Sequence, residues 1–68
     1  MRITVNGKPR EVEREMDLPS FLAANNIDPR LVAVAINGDV IPKGEYAGAR
    51  VREGDVLEVV RMVGGGAA

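Results

Sequence analysis

Apolar and polar residues alternate from Met1 to Asn6, with Met1, Ile3 and Val5 set to one side and Arg2, Thr4 and Asn6 to the other. A period of two with β-branched residues predicts a strand that lays one face on a core. Asn6-Gly7 then supplies the positive φ angles of a type I′ turn, so Pro9–Arg14 is expected to return as a second strand. Val12 is its one clear inward residue, and Pro9, lacking an N–H, sets that strand at an edge or at its own start. The period changes near Asp17. Leu18, Phe21 and Leu22 fall at i, i+3 and i+4 and share one helical face. Asp17 is placed to cap that helix, and Pro19 sits in its first turn, where a missing N–H does little harm. Asn25-Asn26 ends the helix and Pro29 keeps it from resuming. A helix this short is unstable alone, so its apolar stripe must lie on a sheet.

Leu31–Asn37 is the next strand, with Val32, Val34 and Ile36 alternating with Leu31, Ala33 and Ala35. A nearly continuous apolar run predicts a central strand covered on much of both faces. Asn37-Gly38 is a second hairpin signal and leads to a short strand at Val40-Ile41 that Pro42 stops. Lys43–Arg50 reads as an irregular connection anchored by Tyr46, and Arg52-Glu53-Gly54-Asp55 as a turn. Val56–Val63 is the last strand, with Leu57 and Val59 toward the helix and Glu58, Val60 and Met62 on the opposite face. The order strand, strand, helix, strand, strand, strand is an α+β pattern. Its β-grasp (ubiquitin-like) version is a mixed sheet of four to five strands with one helix packed across it, the first and last strands parallel at its centre. After Val63 the pattern stops. Gly64-Gly65-Gly66-Ala67-Ala68 has nothing to pack, and ordering three glycines is entropically costly. Residues 1–63 are therefore expected to fold and residues 64–68 to form a flexible glycine-rich tail.

With 68 residues the chain holds one small domain with a thin core. It has no cysteine or histidine, so packed aliphatic side chains, with no disulfide or zinc staple, must hold it. The same absence removes Ser-His and Cys-His nucleophilic machinery and the common His/Cys metal sites. Any catalysis then rests on an unusual reacting group or belongs to a partner. Nine basic residues against ten acidic ones, a net charge of −1, argue against nucleic-acid binding, which needs a basic patch. No apolar run has the length of a membrane span and no signal-peptide pattern opens the chain, so no membrane association and a cytoplasmic location are expected. Glu53 and Asp55 flank Gly54, but two carboxylates without further oxygen ligands make a poor calcium site, and a turn is the reading kept. Glu11, Glu13 and Glu15 form a solvated edge that discourages aggregation. Val60 and Met62 stand as either a docking patch or ordinary half-buried strand residues. Arg61 and Arg52 stand as either contacts for acidic groups on a partner or plain surface charge.

Several stretches in order resemble the ThiS family, the sulfur carriers of thiamine (thiazole) biosynthesis, related to MoaD and ubiquitin. They are Ala35-Ile36-Asn37-Gly38, Val40-Ile41-Pro42, Arg52-Glu53-Gly54-Asp55 and the run Val59-Val60-Arg61-Met62-Val63-Gly64-Gly65-Gly66. The resemblance implies that the chain is a protein cosubstrate and not an enzyme. An E1-like, ThiF-like adenylyltransferase would use ATP and Mg to adenylate a C-terminal glycine, here Gly66, with Gly65 before it and Gly64 in the tail. A persulfide donor would convert the adenylate to a thiocarboxylate, which a ThiG-like thiazole synthase would consume. No cofactor is expected to stay bound to the carrier. Carriers ready for use end at the second glycine of the pair, whereas Ala67-Ala68 follow here and leave Gly66 without a free carboxylate. Three readings stand: a precursor clipped by a JAMM-type metalloprotease, a cloning scar or inhibiting extension, or a homologue that has left sulfur transfer. The precursor is carried forward.

Other functions compete. Such proteases accompany carriers dedicated to cysteine or methionine synthesis, where the recipient is an amino-acid sulfhydrylase. Val32–Val59 also resembles the end of an S4-like RNA-binding module, but the basic helices of such modules are missing and the net charge opposes it. A non-catalytic β-grasp interaction domain would never change at its tail.

Overall fold

The computed structural model describes residues 1–62. Strand β1 (Arg2–Val5) turns at Asn6 (φ 52°) and Gly7 (φ 81°) into β2 (Lys8–Glu11). Both positive φ values are those the Asn-Gly pair was expected to supply. β2 is shorter than the sequence suggested, because after the Val12 N–H bonds the Met1 carbonyl at 2.8 Å the chain leaves the ladder. β2 is an edge strand, as Pro9 requires.

Helix α1 (Leu18–Ala24) follows a two-residue strand, β3 (Met16–Asp17). Asp17 caps it, with Oδ1 accepting the Ser20 N–H at 2.8 Å. Asn25 closes it, and Asn26 (φ 59°) turns the chain away. Pro29–Leu31 then makes one 3-10 turn capped by Asp28. β4 (Val32–Ile36) and β5 (Asp39–Val40) form the second hairpin, with Asn37 at φ 53° and Gly38 at φ 88°. A 3-10 segment, Lys43–Gly48, leads to β6 (Arg50–Val51) and then, through a turn at Gly54 (φ 83°), to β7 (Val56–Arg61).

The main sheet has the order β2-β1-β7-β4-β5. β1 and β7 run parallel and the other neighbours antiparallel. With α1 lying across one face, this is the expected β-grasp. The central strand is β7, not β4. β4 is also not covered on both faces: Val32 and Val34 are buried under the helix, but Ala33 and Ala35 are half-buried and Leu31 is exposed. β3 pairs with β6 in a second, two-stranded sheet through Met16↔Val51 and Asp17↔Arg50. No pattern in the sequence marked it, because two residues are too few for a period. Leu18 extends it, its N–H bonding the Ala49 carbonyl at 2.9 Å.

The core is Ile3, Leu18, Phe21, Leu22, Val32, Val34, Tyr46, Val51 and Leu57. Tyr46 anchors the long connection as expected, its hydroxyl donating to the Val32 carbonyl at 3.3 Å. Lys43 braces the same place by donating to the Pro29 and Val32 carbonyls at 2.7 and 3.1 Å.

Two caps make the fold acid-sensitive. Hydrogen bonds from the Arg30 side chain, then its backbone N–H, lower the Asp28 carboxyl from 3.8 to about 2. Hydrogen bonding from Ser20 likewise lowers that of Asp17. A carboxyl depressed by folding adds stability above its unfolded value and loses it as pH falls through the folded one. The melting temperature should therefore hold steady down to about pH 5 and decline between ~4 and ~2. Both sites are exposed, so the decline is modest and salt-sensitive. Asp28→Asn, measured by thermal melts across that range, should flatten it.

Candidate functional site: the tail-bearing strand

The tail glycines and the docking candidates Val60, Arg61 and Met62 all lie on β7 or beyond it in the chain. Gly64, Gly65 and Gly66, with Val63, Ala67 and Ala68, lie outside the described residues. What precedes them is well placed. β7 is gripped by β4 through the pairs Val32↔Arg61 to Ile36↔Leu57, and by β1 through Thr4↔Val56 and Val5↔Leu57. Leu57 is buried on the helix side and Val59 packs there against the core.

Two asparagines tighten the strand. As β1 turns away, the Asn6 side chain takes over from its backbone: Oδ1 accepts the Val59 N–H at 2.8 Å and Nδ2 donates to the Val59 carbonyl at 3.1 Å. Across the sheet, Asn37 Oδ1 accepts the Val56 N–H at 3.0 Å and Nδ2 donates to Asp55 Oδ1 at 3.0 Å. Sequence reading took both residues only for turn formers. The sign it could have used is that each hairpin tip abuts the last strand in a β-grasp.

The face of the sheet away from the helix carries an apolar patch. Cross-strand partners share a face, so the pairs Ala33↔Val60, Ala35↔Val40 and Thr4↔Val56 place Val40, Val56 and Val60 together. Alternation adds Leu31 and Met62. Their exposures are 48% for Leu31, 73% for Val40, 45% for Val56, 60% for Val60 and 46% for Met62. These are all the large exposed hydrophobics among the described residues, and they lie on one face with Glu58 among them. Val60 and Met62 are thus part of a wider patch and not ordinary half-buried strand residues. Leu31, Val40 and Val56 were missed as members because the alternation was followed along single strands and not across them. Arg61, also exposed, points to the helix side, away from Val60 and Met62.

The remaining candidates are structural. Asp55 Oδ2 accepts the Arg52 N–H at 2.8 Å and Glu53 Oε1 the Arg2 N–H at 3.1 Å, so both carboxylates serve the turn. Arg52 and Arg50 share Glu15 Oε2 at 3.2 and 3.3 Å. Among the described residues no three acidic side chains gather to hold a metal, and no helix is long and apolar enough to cross a membrane.

Comparison with known proteins converges on one family. The crystal structure of a thiamine biosynthesis protein (ThiS) from Geobacter metallireducens superposes with a TM-score of 0.86 at 31% identity, covering 96% of this chain and 99% of that one. A solution structure of a thiamine biosynthesis protein from the same organism gives 0.79 at 31% identity, covering 96% and 87%. Thiazole synthases of Paramagnetospirillum magneticum and Magnetococcus marinus are 38% and 36% identical over 66 residues, 97% of this chain. The chain spans only 20% of the length of each. The ThiS family model matches residues 3–66, nearly the whole sequence and up to the last glycine, and the chain is a member of the ThiS family.

Proposed function

We propose that the chain is a cytoplasmic sulfur carrier for the thiazole of thiamine, working through its C-terminal residues 64–68, which are trimmed to Gly66. The observation that carries this reading is the family match, which ends at Gly66 and leaves Ala67 and Ala68 outside it. In this account hydrolysis of the Gly66–Ala67 peptide bond frees the Gly66 carboxylate. A ThiF-like adenylyltransferase, using ATP and Mg, joins that carboxylate to AMP and releases pyrophosphate. The terminal sulfur of a donor persulfide attacks the acyl carbon and AMP leaves. A thiol then cleaves the acyl disulfide and sets the thiocarboxylate free. The carrier supplies no catalytic side chain. It supplies an acyl carbon on Gly65-Gly66, whose missing Cβ atoms let the backbone enter a narrow channel, and an apolar face at Val60 and Met62 by which a partner holds the domain.

Thiazole formation is favoured over cysteine or methionine synthesis because the curated relatives are named thiazole synthases. A ThiG-like enzyme is accordingly the recipient, in preference to an amino-acid sulfhydrylase. The apolar sheet face also speaks against the S4-like RNA-binding alternative, which needs basic surface.

Intact-mass measurement of the protein from its own cells tests the proposal. The expected species lacks Ala67-Ala68, and a fraction of it has one oxygen replaced by sulfur at Gly66. Native protein that always keeps both alanines and never gains sulfur would overturn the reading and favour a non-catalytic β-grasp interaction domain.

A further inference from the structure

The parallel pairing of β1 and β7 stops before β7 does. In a strand, backbone N–H and C=O groups point to alternate sides with each residue. Asn37 N–H to the Val56 carbonyl at 2.7 Å and Met62 N–H to the Leu31 carbonyl at 2.9 Å fix the even-numbered residues of β7 toward β4. Thr4 N–H to the Asp55 carbonyl and Asn6 N–H to the Leu57 carbonyl, both 2.9 Å, fix the odd-numbered ones toward β1. Val59 continues that series on the side-chain amide of Asn6. Arg61 is next, and there β1 has already turned back at Asn6-Gly7. Among the described residues nothing bonds the Arg61 N–H or C=O. The strand that carries the tail therefore ends in a notch: one edge is paired to β4, and the other is open immediately beyond the Asn6 amide.

An unpaired strand edge is a template for another extended chain. Natural edges are blunted by proline, inward charge or covering loops, and β2 carries Pro9 for this purpose, whereas Arg61 keeps its N–H. The edge is also continuous with the glycines that must enter a partner's site. Relatives in which a domain like this one spans one fifth of a protein named thiazole synthase supply the partner class.

We propose that the open edge of β7 at Arg61 receives an extended segment of a thiazole synthase as an added β-strand. The proposal rests on the carrier reading above. The added strand continues the line of β1, with apolar residues on the side of Val60 and Met62 and polar ones on the side of Arg61.

The test uses the full chain and the thiazole synthase of the same genome. Amide hydrogen exchange at Arg61, followed by NMR, should slow at least tenfold in the complex. Exchange at Val59, Val60 and Met62, whose N–H groups are already engaged, should change less. Arg61→Pro removes the one N–H at issue without touching the β4 ladder, a position where proline is tolerated. It should bind the synthase at least tenfold more weakly than Arg61→Ala, which keeps the N–H and loses only the charge. Three results would overturn the proposal: a complex in which Arg61 exchanges as in the free chain, equal binding by the two variants, or protection of Arg61 that appears with self-association instead of with the synthase. Should Arg61→Pro misfold, the exchange measurement on the unaltered chain decides alone. No complex with the synthase at all would defeat the carrier reading together with this one, whereas a complex without protection defeats the added strand only.

Discussion

Gly66→Val, introduced into a chain that ends at residue 66, should abolish adenylation while leaving the domain's melting curve unchanged. The two halves of that expectation have separate physical causes. Stability belongs to the nine-residue core from Ile3 to Leu57. In the proposed reaction, reactivity belongs to the last carboxylate, whose oxygen a partner must bring against the α-phosphorus of ATP. A β-branched side chain at that residue restricts its φ and ψ and adds two methyl groups where the backbone itself has to fit. Misplacing a reacting atom by about 1 Å can lower a rate about a hundredfold. ATP–pyrophosphate exchange with the adenylating enzyme reads the loss directly. Restoring Ala67-Ala68 behind an unaltered Gly66 should also silence the exchange at Gly66, because a peptide carbonyl has no carboxylate oxygen to attack phosphorus. Exchange by the valine variant at the normal rate would mean that the glycines serve no channel.

The division of labour between fold and tail explains what could be read in advance. Each Asn-Gly pair announced its hairpin, because a two-residue turn demands φ values that few residues tolerate. The Asp17 cap and the Leu18/Phe21/Leu22 stripe announced the helix for equally local reasons. Long-range consequences were harder to read. β3 and β6 contribute two residues each, and their pairing follows from where Tyr46 and Val51 seat the connection in the core, which no period records. The apolar face was visible only as Val60 and Met62, since Leu31, Val40 and Val56 join it through register and not through sequence neighbourhood. Asn6 was legible as a turn residue but not as a clamp, because its second role depends on β7 arriving beside it from more than fifty positions away. The chemistry proposed for the tail comes from family likeness alone. Glycines without the preceding fold would read as a frayed end.

Leu57→Ala should produce the largest loss of stability of any single substitution on β7. Leu57 is fully buried on the central strand, flanked by Val5 on β1 and Ile36 on β4, and it packs under a helix of only two turns. Removing a buried leucine side chain forfeits its transfer free energy and leaves a cavity, together about 3 kcal/mol. At ~0.1 kcal/mol per residue, a domain of this length has a total stability of about 6 kcal/mol, so the variant loses roughly half of it. Its unfolded fraction rises on the order of a hundredfold. Urea denaturation should show a midpoint lowered by about half with the slope little changed. Val60→Ala, three residues further on and facing the open side, should lower stability by less than about 0.5 kcal/mol. The contrast matters because both residues are aliphatic, adjacent to the tail and on one strand, so only burial separates them. If Val60→Ala proved as damaging as Leu57→Ala, the outer face would be covered in solution by another molecule. The patch would then be part of a core shared between chains, and not a surface kept bare for a partner that visits the carrier and leaves.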